Sequence, residues 1–189
     1  MKSDGSLWLL GVWSMQFRSV DDVKVDYIPP SRLPDLDQIA SLGARKLIRT
    51  DGTVWGPSWD GEKWVWQQLA GLTNVISVTK ASWHASTERI SGTDWFALRK
   101  DGTVLRWTDE THYDAKWQVQ SRVASTPVMV AGLADIVAIA ANAFSRTHVV
   151  ALKRDGTAWC WGENTFGQVG DGTLEDRSAP VSVPDFRLY

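Results

Sequence analysis

The three histidines, His84, His112 and His148, stand singly, with neither the His-x-His nor the His-Glu-x-x-His spacing that puts two imidazoles on one metal. Cys160 is the only cysteine, which excludes an internal disulfide and a multi-cysteine zinc site. Adjacent acids (Asp21-Asp22, Asp109-Glu110, Glu175-Asp176) fall in segments read as loops, where neighbouring carboxylates are solvated rather than made to share a proton. A Gly-x-Ser-x-Gly elbow is missing, and no Cys–His arrangement stands out. Gly162 and Gly167 have P-loop spacing, but Gln168 stands where that loop needs lysine. Gly167, Gly170 and Gly172 are misplaced for a dinucleotide fingerprint and read as turn glycines with positive φ. The expectation is a chain that is not an enzyme and uses neither metal nor cofactor.

The chemistry on offer is recognition by indole. Twelve Trp outnumber five Phe and three Tyr in 189 residues. A Trp buries roughly 150–250 Å², so an exposed one is a strong candidate anchor for a partner. Trp8, Trp55, Trp107, Trp159 and Trp161 recur at fixed positions and read as packing between sheets, while Trp83 and Trp95 flank the entry to one turn. Two segments, Gly56 to Gln67 and Thr108 to Trp117, break the regular pattern and are rich in interface-type residues. Trp59, Trp64, Trp66, Asp109, His112, Tyr113 and Trp117 are the binding candidates.

A repeat must position them. Asp4-Gly5, Asp51-Gly52, Asp101-Gly102 and Asp155-Gly156 recur at spacings of 47, 50 and 54 residues, each followed by Ser or Thr. Asp-Gly between alternating apolar runs predicts four β-hairpins, here expected with type I′ turns. Lys and Arg beside these turns are expected to be solvated. The outgoing strands alternate: Thr157, Trp159 and Trp161 share one face, as do Thr103, Leu105 and Trp107. A second phrase recurs between the turns: Ala70-Gly71-Leu72-Thr73-Asn74-Val75 matches Ala131-Gly132-Leu133-Ala134-Asp135-Ile136 and reads as the approach to a buried strand. About four short strands per repeat of some 50 residues predict an all-β chain: one propeller domain, residues 1–189, of about four blades.

The stretch from Ala151 through Asp155-Gly156-Thr157-Ala158-Trp159-Cys160-Trp161-Gly162 to Gly167-Gln168-Val169-Gly170, with the later Pro180-led strand, resembles the repeat of the regulator of chromosome condensation superfamily. The earlier copies keep the turn and the inter-repeat phrase but lose the Gly-Gln loop. The resemblance implies a β-propeller, seven-bladed in well-known members, whose faces grip protein partners, including a small GTPase and β-lactamases. It also implies that a His at position 148 is structural. Asp-Gly-Thr-x-Trp is a poor match to the Asp-box of sialidases, because their Asp and Gly are separated.

A near-balance of charge (22 Asp and Glu against 20 Lys and Arg) with 43% hydrophobic residues describes a globular domain rather than a disordered tail. No basic run exceeds a dipeptide, so a nucleic-acid stripe is not expected, and no apolar stretch is long enough to suggest a membrane helix. With no signal-peptide-like start, the cytoplasm is the expected compartment. The function expected is a non-catalytic protein-interaction propeller. The alternatives are a carbohydrate-binding propeller and a regulator resembling a guanine-nucleotide exchange factor. A little under four repeats would leave blade faces open at both ends, so the chain is expected to be part of a larger propeller or to complete a ring as a homodimer.

Overall fold

A computed structural model describes residues 8–19, 22–32, 38–43, 46–59, 62, 64–85, 87–142 and 148–188; for residues 8–32 it is the backbone path that is described. The hairpin expected at Asp4 and Gly5 lies outside these residues. β1 (Trp8–Ser19) pairs antiparallel with β2 (Asp22–Arg32). Three four-layered meanders follow. The first, blade A, comprises β3 (Ile39–Gly43), β4 (Lys46–Arg49), β5 (Val54–Trp59) and β6 (Trp64–Gln68). The second, blade B, comprises β7 (Val75–Ala85), β8 (Ile90–Arg99), β9 (Val104–Tyr113) and an outer edge split into β10 (Val119–Ala124) and β11 (Val128–Met129). The third, blade C, comprises β12 (Ile136–Ala141), β13 (His148–Lys153), β14 (Thr157–Gly162) and β15 (Arg177–Arg187). All strand pairs are antiparallel, and the described residues contain no α-helix.

The hairpins at Gly52, Gly102 and Gly156 are real, but their geometry differs from the expected type I′. Only the glycine has positive φ (78°, 83° and 85°); the preceding aspartate does not. In the first, Gly52 N donates to Arg49 O at 2.9 Å and Arg49 N donates to Thr53 O at 2.9 Å. That is a three-residue loop: a type I turn closed by a left-handed glycine. The reason is the threonine. Asp51 Oδ1 accepts from both the backbone N (2.9 Å) and the hydroxyl (2.7 Å) of Thr53, fixing the aspartate in an ordinary right-handed conformation. The clip recurs at Asp101–Thr103 and Asp155–Thr157. These hydrogen bonds from threonine lower the pKa of all three aspartates, which strengthens them as acceptors at neutral pH.

The same turns join one blade to the next. Val75 N donates to Gly52 O at 3.0 Å, and Ile136 N donates to Gly102 O at 3.1 Å; Leu188 N makes the matching bond to Gly156 O at 3.0 Å. The Gly52 and Gly102 turns therefore each hold the first residue of the next blade, and the Gly156 turn holds the residue after β15. Glycine is required there twice over: a Cβ at position 102 would stand 2.9 Å from Asp135 Cα, besides sitting at positive φ.

Apolar side chains fill the spaces between blades. Ile48 and Val54 from blade A pack with Trp95, Ala97, Leu105 and Trp107 from blade B. On the other side of blade B, Phe96, Leu98 and Val104 pack with Val149, Ala151 and Trp161 from blade C. Trp107 and Trp161 are thus buried at the two junctions, as their register predicts, with Phe96 edge-on to Trp161 at 5.8 Å. Trp55 and Trp159 are half-buried beneath cations: Arg49 lies 4.1 Å over Trp55 and Lys153 lies 4.2 Å over Trp159. Arg49 and Lys153, the strand residues before two of the turns, are therefore stacked rather than solvated, since each lies diagonally across the ladder from an indole; Lys100 and Arg154 do face solvent.

Candidate functional site

Antiparallel connectivity puts the turns at Gly52, Gly102 and Gly156 at one end of their blades and the connections between strands one and two, and three and four, at the other. Both segments singled out in the sequence lie at this second end, but neither is an irregular excursion. Residues 56–59 and 64–67 lie in the paired strands β5 and β6, with Trp59 opposite Trp64, and residues 108–113 continue β9. Period-two alternation persists there, hidden because polar residues occupy both faces. The first three strands of blade B run 10–11 residues where those of blade A run 4–6, so blade B projects beyond blade A.

Cross-strand register assigns one face of this projection. Lys80 pairs with Trp95, Ser82 with Thr93 and His84 with Ser91; Trp95 pairs with Trp107, Thr93 with Asp109 and Ser91 with Thr111. Deep on this face Trp95 stacks on Trp107 (centroids 5.9 Å apart, 9° between planes), and Trp95 Nε1 donates to Asp109 Oδ2 at 2.8 Å. Lys46 of blade A, itself buried, reaches 4.3 Å from the Trp95 ring. Above them opens a cleft of about 670 Å³ between Pro57 and Ser58 of blade A and Lys80, Thr93, Thr111 and Arg122 of blade B.

The rim of the cleft is aromatic. Tyr113 hydrogen-bonds Ser91 through its hydroxyl (3.1 Å), and the Trp117 ring lies 6.0 Å from Tyr113 and 5.7 Å from His84. Trp117 is 49% exposed. Its backbone is the telling feature. The β9–β10 turn repeats the Asp-Gly hairpin bond for bond: Trp117 N donates to Asp114 O at 3.1 Å and Asp114 N to Gln118 O at 2.9 Å. Trp117, at φ 61°, therefore occupies the left-handed place that Gly52, Gly102 and Gly156 hold in the other hairpins. A side chain there costs about 1–2 kcal/mol. Asp114 Oδ1 accepts from Lys116 N (2.8 Å) and Gln118 N (2.9 Å), which keeps the turn closed around the strained residue.

Of the sequence candidates, Asp109, Tyr113 and Trp117 come together on this face. His112 is on the opposite one, 3.4 Å from Glu110 through Nε2. Trp66 is half-buried against Ile39 and Leu47 and belongs to the small core of blade A. The side chains of Trp59 and Trp64 lie outside the described residues. His84 was not among the candidates. The signal for it was the long alternating run from Val75 to Ala85, which extends the strand to the rim.

Blade C carries the glycine-rich loop at the same end. Buried Asn164 organises it: its Nδ2 donates to Thr173 O (2.9 Å), its Oδ1 accepts from Val169 N (2.9 Å), and its backbone N donates to Asp176 Oδ1 (2.7 Å). Asp171-Gly172-Thr173 forms a further copy of the aspartate–threonine clip. The Thr173 hydroxyl, followed by the Arg177 guanidinium, lowers the Asp171 pKa to about 2. These bonds are all internal to the loop. Among the described residues no three His, Cys, Asp or Glu side chains are grouped to hold a metal ion, and burial raises the pKa of the Cys160 thiol. No described helix is long and apolar enough to cross a membrane.

The sequence of blade C matches a known repeat. Residues 136–168 and 155–188 each match a model of the regulator of chromosome condensation (RCC1) repeat. Residues 136–188 carry the RCC1 repeat. A chain in the crystal structure of Kap60 bound to yeast RCC1 (Prp20) is similar in fold, with a TM-score of 0.50 and 18% identity over 82% of this chain and 38% of that one. A chain in the crystal structure of human WBSCR16 aligns at TM-score 0.38 and 18% identity, over 87% of this chain and 58% of that one. This chain thus spans less than two thirds of either structure. Its architecture is the β-propeller kind: all-β, with antiparallel blades joined edge to core.

Proposed function

We propose that this RCC1-repeat chain is a non-catalytic interaction module that binds a protein partner through the end of the blades opposite the Asp-Gly turns. One observation carries the reading. Trp117 holds an exposed indole at the left-handed turn position that glycine fills in the hairpins at Gly52, Gly102 and Gly156. Backbone strain of this kind persists where the residue is needed for a purpose other than folding. Tyr113 and His84 flank the indole, and a rigid aromatic at the edge of a cleft is a typical interface anchor. The similar yeast RCC1 structure is itself a complex between proteins, which supports a protein partner for this chain. The test is affinity enrichment from the source organism with wild-type and Trp117→Gly baits, read by mass spectrometry. A protein retained by the first and lost by the second is expected. Equal retention by both baits, or glycan-array binding that depends on Trp117, would overturn the reading, the latter in favour of a lectin.

A further inference from the structure

The cleft beneath Trp117 has a charge pattern that selects among partners. Lys80 and Arg122 both line it, one from the innermost strand of blade B and one from the outermost. Among the described residues neither forms an ion pair with a carboxylate. The two acids of the same wall are already engaged: Asp109 accepts from Trp95 Nε1 at 2.8 Å, and Glu110 lies 3.4 Å from His112. Thr93 and Thr111 supply hydroxyls between the two cations on the same wall. Trp95, the one indole at the bottom of the cleft, is only 6% exposed and stacks on Trp107, so it offers no open platform to a sugar ring. The rim rings are mutually tilted by 32° and 50°, which again suits an irregular side chain better than a flat pyranose face.

Resting on the interaction reading above, we propose that the partner enters as an extended acidic peptide segment. A hydrophobic or aromatic side chain of the segment packs on Trp117, and acidic side chains further along it meet Arg122 and, deeper in the cleft, Lys80. Each carboxylate accepts hydrogen bonds from the guanidinium or ammonium group it meets, which are charge-assisted and therefore the stronger kind. The aromatic rim sets position, and the cations set which sequence is accepted.

The test is selection of random 12-residue peptides displayed on phage against the full chain, followed by titration of synthetic versions of the selected peptides. Selected sequences should be enriched in Asp or Glu. Replacing the acid by its amide in the peptide, or making Arg122→Gln or Lys80→Gln in the protein, should each weaken binding about 10- to 100-fold. The two protein changes together should cost about the sum of the two, because each removes a separate contact. Arg122 is exposed on an edge strand, so Arg122→Gln folds normally and isolates the charge effect. Peptides that need Trp117 but show no preference for acids overturn this proposal and leave the interaction reading standing. If no selected peptide depends on Trp117, both fall.

Discussion

Replacing Gly102 by alanine should cost much more stability than replacing Gly132, although both glycines have nearly the same left-handed backbone (φ 83° and 80°). At Gly102 the new Cβ would lie 2.9 Å from Asp135 Cα and 3.0 Å from Ile136 N, both backbone atoms of the next blade. At Gly132 it would meet nothing within 4 Å. The left-handed penalty of about 1–2 kcal/mol and the smaller entropy of the unfolded chain enter both variants alike and cancel in the comparison. What remains at Gly102 is the forced retreat of a packed backbone, about 1–3 kcal/mol on the scale of overpacked cores. For a chain of this size that corresponds to a further fall in Tm of roughly 2–12 °C. Urea unfolding of the two variants measures the difference. Hydrogen exchange at the Ile136 amide, which donates to Gly102 O at 3.1 Å, locates it. Equal destabilisation by the two substitutions would refute the account of the turn as an inter-blade contact and leave it a matter of backbone conformation alone.

Trp117→Gly should remove partner binding while changing unfolding free energy by less than about 2 kcal/mol, since relief of the left-handed strain offsets the lost ring contacts; a collapse of the thermal transition would show the indole to be structural. Gly92→Ala should destabilise, because its Cβ would fall on the Trp83 ring, and Trp83→Leu should restore much of the loss in a double-mutant urea series; simple additivity would contradict the contact. The Asp171 carboxyl has its pKa lowered to about 2 in the folded chain, so the stability it confers is complete above about pH 4 and is lost as pH falls towards 2. Asp171→Asn should therefore flatten the acid limb of a stability-against-pH curve in that window and leave its shape above about pH 5 unchanged; an unaltered acid limb would rule out the clip as its source.

The period-two pattern and the repeated Asp-Gly turns determined the all-β class, the meander within each blade and the burial of Trp107 and Trp161, because strand alternation and glycine chemistry are local properties that neighbouring residues express by themselves. Local reading also located the turns at Gly52, Gly102 and Gly156. It assigned them the wrong type, since the clip from aspartate to the threonine two residues on outweighs the general preference of Asp-Gly for type I′. The candidate site was legible only in part. Asp109, Tyr113 and Trp117 stood out as polar and aromatic residues beyond a core strand, whereas Trp66 looked the same in sequence and turned inward against Ile39 and Leu47. His84 lies 33 residues before Trp117, and nothing local links them; pairing of β7 with β8 and of β8 with β9 carries both to one rim. The cleft exists because the strands of blade B outrun those of blade A, a difference between two sheets that no single segment encodes. The cost of Trp117 also emerges only in three dimensions: the residue reads as one more indole until the hydrogen bonds of its turn superpose on those of the glycine hairpins.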